Sequence, residues 1–501
     1  MIIDSIYAIV WLLLICWCLK HYNIFKTAEL GKWDLTFAFL LKIVAGALYI
    51  FVYSKIYGTI KGELNYDASD FIYESKQLNS LFYNSPKTYF KLLFEIDEDS
   101  KIVRQYLSKT IHWSRGNLIL VNDAKNLVKV HSLVQFISFN NIYVHFIIFN
   151  FISLIGLRNL YLATNQYVQV NSRIFFFAMI LLPSAFFWGS SVLKEPLLIF
   201  GIGLLLRSLL DGTISKRKKG VYSVLALIIL IGFKPYILIC FVVALGFYHF
   251  TNYYFKYKVI LSLFVFSGII VSFILLSSDI RKKMVHFVSH KQFDFENIGQ
   301  GGLHSMREGD SLVYYFPTEC HSNLAIQGNH FYIKKNTFAY KFRYGYKDSI
   351  VRHRFEVSDH RWLVKNRVPG SDSYIETTLI FSSFRQLILN IPEALTNSLL
   401  RPYLNDPGKN LKFFACFETY ILFAFLIIAL IRRRKLGESE LNFVISCLIF
   451  IISLSLIIGW TTPVLGAIVR YRMPAYYVLL LVAFILVNPI KKWKKKEITS
   501  L

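Results

Sequence analysis

Apolar residues in this chain fall in long blocks with few charges: 3–19, 36–54, 142–163, 172–188, 192–210, 221–233, 235–250, 258–277, 411–431, 441–459 and 470–488. Most run to 16–22 residues, the length a helix needs to cross the hydrocarbon core of a bilayer. The pattern predicts an all-α polytopic membrane protein with about eleven transmembrane helices. The blocks 221–233 and 235–250 are short and meet at Lys234-Pro235. Proline removes a helical donor and disfavours helix in the residue before it, so a break is expected there.

Two polar stretches interrupt the blocks and divide the chain. Residues 1–54 hold two helices, and 55–141 form a first polar loop of short amphipathic helices. Helices three to eight, with the Lys-Pro break, occupy 142–277; a larger loop follows at 278–410. Its alternating stretches, His330-Phe331-Tyr332-Ile333 and Phe338-Ala339-Tyr340-Lys341-Phe342, predict a cap containing some β structure. Three last helices fill 411–490, and 491–501 is a basic tail.

Composition and charge agree with this reading. The chain is 55% hydrophobic and 17% charged, too few charges to cover a water-soluble protein of 501 residues. The net charge of +25 does not imply nucleic acid. Much of the excess sits in short breaks, Lys216-Arg217-Lys218-Lys219, Arg432-Arg433-Arg434-Lys435 and 491–496, as the cytoplasmic bias of membrane proteins requires. That bias places the C-terminus in the cytoplasm, the N-terminus outside, and both long loops outside. Of six cysteines only Cys320 lies in a long polar loop, so no disulfide framework is available. No asparagine heads an Asn-x-Ser/Thr sequon, which favours a bacterial cytoplasmic membrane. Residues 3–19 read as a retained helix, since no basic leader precedes them.

Charges at a membrane rim are costly and so mark function. Asp67, Asp70 and Glu74 fall on one face of a helix after the second block; such acids can serve as a general base or hold a divalent cation, Mg or Mn, or simply cap the helix. Lys194 and Glu195, before Pro196, close a turn between two blocks, where a lysine suits a lipid phosphate and an interfacial anchor equally. Lys234 lies at the proline break, with Glu418 as a candidate buried partner; Lys42 is a weaker case of the same kind. Arg401, Arg470 and Arg472 open late helices, where they would grip phosphate bidentately or anchor the helix ends. Seven of the twelve histidines lie in 278–410 without a zinc-ligand pattern. Nucleotide-binding and hydrolase-elbow motifs are absent.

The acidic loop with Asp67 and Asp70, the turn from Pro183 to Lys194-Glu195-Pro196, the Lys234-Pro235 break and the helix start Arg470-Tyr471-Arg472-Met473-Pro474 resemble bacterial multi-pass GT-C-type glycosyltransferases. The resemblance covers residues 60–250 and 400–490. It implies a polyprenyl-phosphate sugar donor, a glycan or lipid-linked acceptor, Asp67 or Asp70 as catalytic acid/base or metal site, and Lys194, Lys234, Arg401, Arg470 or Arg472 on the lipid phosphate. One departure is that the acidic loop follows the second helix, where the family places it after the first. The large late loop is also similar to that of O-antigen polymerases and ligases. From another class, a flippase of lipid-linked sugars would share the cationic groups but need no base.

Overall fold

The computed structural model describes residues 2–27, 29–56, 67–94, 105–108, 110, 122–255, 258–310, 312–342, 351–380 and 383–489. The basic tail at 491–501 and Glu63 lie outside this set, as does the side chain of Asp67. The chain divides into two units, Met1–Val242 with Leu426–Lys435 and Leu480–Leu501, and Val243–Phe425 with Leu436–Leu479.

The first unit begins with α1 (Ile2–His21) and α2 (Asp34–Phe51). Two amphipathic helices follow, α3 (Asp67–Asn84) and α4 (Pro86–Phe94). On α3 the residues Ala68, Phe71, Ser75 and Leu78 are all buried, the three-and-four spacing of one helix face. Burying Phe71 or Leu78 contributes about 1.5–3 kcal/mol each. Next come α5 (Asp123–Ser138) and α6 (Ile142–Thr164). Asn122 caps α5 by accepting from the Ala124 and Lys125 amides, each at 3.1 Å, and α5 ends at Phe139 in the left-handed region, φ 49°.

The block expected at 172–188 is broken into α7 (Ser172–Ile180) and α8 (Pro183–Trp188), with Pro183 at the start of the second piece. Then follow α9 (Glu195–Leu210), α10 (Lys216–Phe233) and α11 (Pro235–Tyr254). Helices α6 and α9 meet backbone to backbone. A Cβ on Gly156 would stand 2.6 Å from the Phe200 nitrogen, a distance only glycine permits.

The second unit holds α12 (Val259–Leu276) and α13 (Ser278–Gln300). A seven-stranded antiparallel sheet follows: β1 (Gly302–Arg307), β2 (Val313–Pro317), β3 (Leu324–Gln327), β4 (His330–Ile333), β5 (Thr337–Phe342), β6 (Arg352–Phe355) and β7 (Ser358–Val368). Its order is β3-β4-β7-β1-β2-β5-β6. Both alternating stretches noted in the sequence are strands, β4 and β5. One face carries Leu303, Phe316, Phe331, Ile333 and Trp362; on the other, Tyr315 and Tyr340 pack with Phe293 of α13. Helices α14 (Phe384–Leu389), α15 (Ile391–Leu399), α16 (Leu411–Ile431), α17 (Glu438–Thr461), α18 (Leu465–Tyr471) and α19 (Met473–Leu486) complete the described chain.

Seven described helices have the length and apolar composition of membrane spans, eight if the pair α18 and α19, bent by 53°, counts as one more. The sequence pattern suggested about eleven. The difference lies in three blocks: 172–188 is split by Pro183, α9 has only 16 residues, and α10 opens on four basic residues. The chain is a helical polytopic protein that carries a sheet.

Candidate functional site in the first unit

Helix α5 draws two of the candidate basic groups of this unit together. Asp123, its first residue, accepts from Lys194 Nζ at 2.5 Å, and Lys234 Nζ lies 3.6 Å from the same carboxylate oxygen. The lysine side chains are each 11% exposed and that of Asp123 is 34% exposed. One turn further along α5, Asn126 donates to the Gly232 carbonyl at 2.8 Å. That carbonyl belongs to the last turn of α10, whose end at Phe233 leaves it without a helical donor. Asp123 and Asn126 therefore hold the Lys-Pro break at two points.

The acidic helix borders the same cluster. The Phe71 ring lies 5.8 Å from Lys194 Nζ, so Asp70, its neighbour in the chain, stands on the stretch of α3 beside the lysine. Glu74, Lys125 and Glu195 are each only 1% exposed. Lys194 immediately precedes α9, and Pro196 sits in that helix's first turn, where a missing amide hydrogen costs nothing. Two of the sequence-derived basic residues, Lys194 and Lys234, are thus brought together on one carboxylate. That carboxylate was not among the candidates. Asp123 lies in the 55–141 loop without a motif, and its only signal is the Asn122-Asp123 helix start.

The turn before Lys194 is irregular backbone held by buried side chains. Lys42 Nζ donates to the Gly189 carbonyl at 2.9 Å and to Ser190 Oγ at 3.1 Å. Asn150 Nδ2 donates to the Ser190 carbonyl at 3.2 Å, and His131 Nε2 to the Val192 carbonyl at 2.8 Å. Three helices, α2, α6 and α5, thereby satisfy carbonyls that a helix would have satisfied itself. Lys42, noted in the sequence as an intramembrane charge, serves this turn.

In the second unit the late arginines have definite local partners. Arg472 is 0% exposed. Its Nη1 donates to the Ser398 carbonyl at 3.2 Å and to the Arg401 carbonyl, and Nη2 donates to Thr419 Oγ1 at 2.9 Å. Its guanidinium lies 4.2 Å from the Tyr476 ring centroid. Arg401 donates to Asp406 Oδ1 at 3.1 Å, and Arg470 is half-buried on α18. Glu418 is buried on α16 beside Thr419. Glu296 of α13 is also buried and accepts from the Tyr374 hydroxyl and from Thr377 Oγ1, both at 2.8 Å. Burial, with the nearby Glu319 and Glu376, pushes its carboxyl above the usual range despite those two donors.

Among the described residues no group of three His, Cys, Asp or Glu side chains is placed to hold a metal ion. The cation expected at Asp67 and Asp70 has its first ligand outside those residues. No protein-family model, curated protein or solved structure matches this chain.

Proposed function

We propose that this chain is a membrane glycosyltransferase of the bacterial cytoplasmic membrane. It would transfer sugar from a polyprenyl-(pyro)phosphate carrier to a glycan or lipid-linked acceptor at the outer face. The observation that carries the reading is the convergence of Lys194 and Lys234 on Asp123 next to the acidic helix at Asp70. Two ammonium groups on one partly exposed carboxylate form a site that a phosphate can enter by displacing or joining Asp123.

The chemistry follows from that arrangement. Asp70, or Asp67 one turn earlier, takes the proton of the acceptor hydroxyl as its oxygen attacks the anomeric carbon. The bond from that carbon to the phosphate oxygen breaks, and the electron pair leaves on the lipid phosphate. Lys194 and Lys234 stabilise that departing charge, an effect worth several kcal/mol in a water-poor site. For Arg401 and Arg470, in the second unit, a phosphate-binding role is proposed from the sequence alone. Arg472, enclosed by carbonyls and Thr419, is assigned to holding the 398–401 turn. Orientation follows the basic breaks, with the N-terminus outside and the C-terminus cytoplasmic.

The test is sugar transfer in nanodiscs by Asp70→Asn, Lys194→Ala and Lys234→Ala at equal expression. We expect a loss of about 10²-fold or more in each; wild-type rates in all three end the proposal. Polymerases and ligases of O-antigen type use the same donor chemistry and would respond alike. A lipid-linked sugar transporter is the second reading, favoured by the break at Lys234-Pro235 together with the 53° bend between α18 and α19. Binding of the carrier without product formation would select it.

A further inference from the structure

Beneath Lys194 lies a chain of hydrogen bonds that the proposed chemistry does not use. The Val192 carbonyl accepts from His131 Nε2 at 2.8 Å. A carbonyl only accepts, so that nitrogen carries a hydrogen. His131 Nδ1 lies 3.0 Å from His145 Nδ1, and one of the pair must donate. Both imidazoles are 0% exposed, and burial pushes His131 down to about 4. At neutral pH its Nδ1 is therefore bare, and His145 Nδ1 is the donor.

The rest of the chain is then fixed. His145 Nε2 is left as an acceptor and receives the Ser138 hydroxyl at 2.9 Å. Gln135 faces Ser138 with its amide oxygen, because that oxygen takes the Asn140 amide hydrogen at 3.1 Å. The Gln135 amide nitrogen donates to Ser75 Oγ at 3.1 Å, whose own hydrogen is spent on the Ile72 carbonyl at 2.7 Å. Donation runs in one direction, from Ser138 through both rings to Val192. A backbone carbonyl terminates one end and the Ser138 hydroxyl the other, its one hydrogen going to His145 and not to Gln135. The backbone carbonyl at the end of the chain takes up no proton near neutral pH, so the chain holds position and does not conduct.

What it holds is the turn two residues before Lys194. The His131 ring is stacked on Phe149, with centroids 4.5 Å apart and planes at 9°, so it cannot swing away from the carbonyl without losing that contact. We infer that His131 is a positioning residue for Lys194, held as the Nε2–H tautomer by His145 in the Nδ1–H tautomer, and that it sets the lysine's reach toward the phosphate. This rests on the reading of Lys194 as a phosphate-binding group. It adds two histidines, on α5 and α6, that no pattern in the sequence singled out.

Three measurements test it. In nanodisc-embedded wild-type protein labelled with [15N]histidine, His131 should show a protonated Nε2 and a bare Nδ1, and His145 the reverse. The opposite tautomer on either ring, or a charged ring at pH 7, overturns the inference. This arm needs no variant, so it stands even where a substitution fails to fold. Second, the 13C resonance of reductively methylated Lys194 should move in His131→Phe and stay in His131→Gln, whose amide nitrogen replaces Nε2; no movement in His131→Phe overturns it.

Third, the Kd for a polyprenyl monophosphate should rise at least about tenfold in His131→Phe and less than about threefold in His131→Gln. In a Lys194→Ala background His131→Phe should cost nothing further, because its effect passes through the lysine. An equal loss in both backgrounds overturns the positioning role. A wild-type protein that binds no polyprenyl monophosphate removes the phosphate reading, while the tautomers and the Lys194 resonance still test the positioning itself.

Discussion

Lys194 and Asp123 form an ion pair at 2.5 Å between residues 71 positions apart in the chain. The pair joins the start of α9 to the start of α5, and Lys234 shares its carboxylate oxygen at 3.6 Å. Removing the carboxylate charge would take from both ammonium groups the acceptor they share. Asp123→Asn should therefore lower stability by about 1–3 kcal/mol. The same change should tighten binding of a phosphate, which then no longer competes with the Asp123 carboxylate. Thermal unfolding and titration with a polyprenyl monophosphate check the two effects together, and weaker phosphate binding by Asp123→Asn would count against the site.

His131 gives a pH signature. Burial lowers it from 6.5 to about 4, so the folded state favours the neutral ring. The stability this contributes is fully present above pH 6.5 and is lost as pH falls through about 4, to a limit on the order of 3 kcal/mol. His131→Gln should flatten the stability curve over that window. Thermal unfolding of both proteins from pH 7 to pH 4 reads it.

Glu296 should act with the opposite sign. Its carboxyl is raised in the fold, so its contribution is complete below the ordinary 4.5 and declines as pH rises through the elevated folded value. Glu296→Gln keeps an acceptor for one of the Tyr374 and Thr377 hydroxyls and carries no charge. Stability of the variant should fall less than that of the wild type between pH 4.5 and pH 7. Parallel curves would show that Glu296 keeps an ordinary carboxyl.

Gly156 is placed where α6 and α9 share no room for a side chain. A Cβ there would press on the Phe200 and Ile199 backbone at 2.6 and 2.7 Å, and backbone yields less readily than a side-chain tip. Gly156→Ala should cost about 1–3 kcal/mol, seen as a lower Tm in detergent. An unchanged Tm would mean that the two helices part at little cost.

Arg472 separates two roles by one substitution. Its fork reaches the Ser398 and Arg401 carbonyls and Thr419, a geometry that one ammonium cannot reproduce. Arg472→Lys should lower stability by about 2 kcal/mol or more and leave affinity for a polyprenyl monophosphate unchanged. A phosphate-binding arginine would give the reverse result.

Much of the fold was legible because hydropathy marks membrane helices strongly. The blocks at 3–19, 36–54, 142–163, 235–250, 258–277, 411–431 and 441–459 each match a helix of spanning character. The strands at His330–Ile333 and Thr337–Phe342 were visible because side chains alternate between two environments. The interruption at Leu181-Leu182-Pro183 was harder to read, since leucine and phenylalanine run through it without a polar mark. Lys194 and Lys234 stood out as charges among apolar residues. Asp123, Asn126, His131 and His145 did not, because polar residues in a polar loop or a single histidine in an apolar block are ordinary in isolation. For Asp123, Asn126 and His131 the meaning lies in what they touch at least 61 residues away in the chain, where local pattern carries no information, and His145 takes its meaning from His131.

The Gly189, Ser190 and Val192 carbonyls accept from α2, α6 and α5 respectively. Evolution at this loop is consequently constrained from afar: drift in any one of three separate helices reaches the loop's tip through a lost donor. Compensated exchanges at Lys42, Asn150 and His131 should travel together among descendants of this gene, while the loop's own sequence is left comparatively free to change.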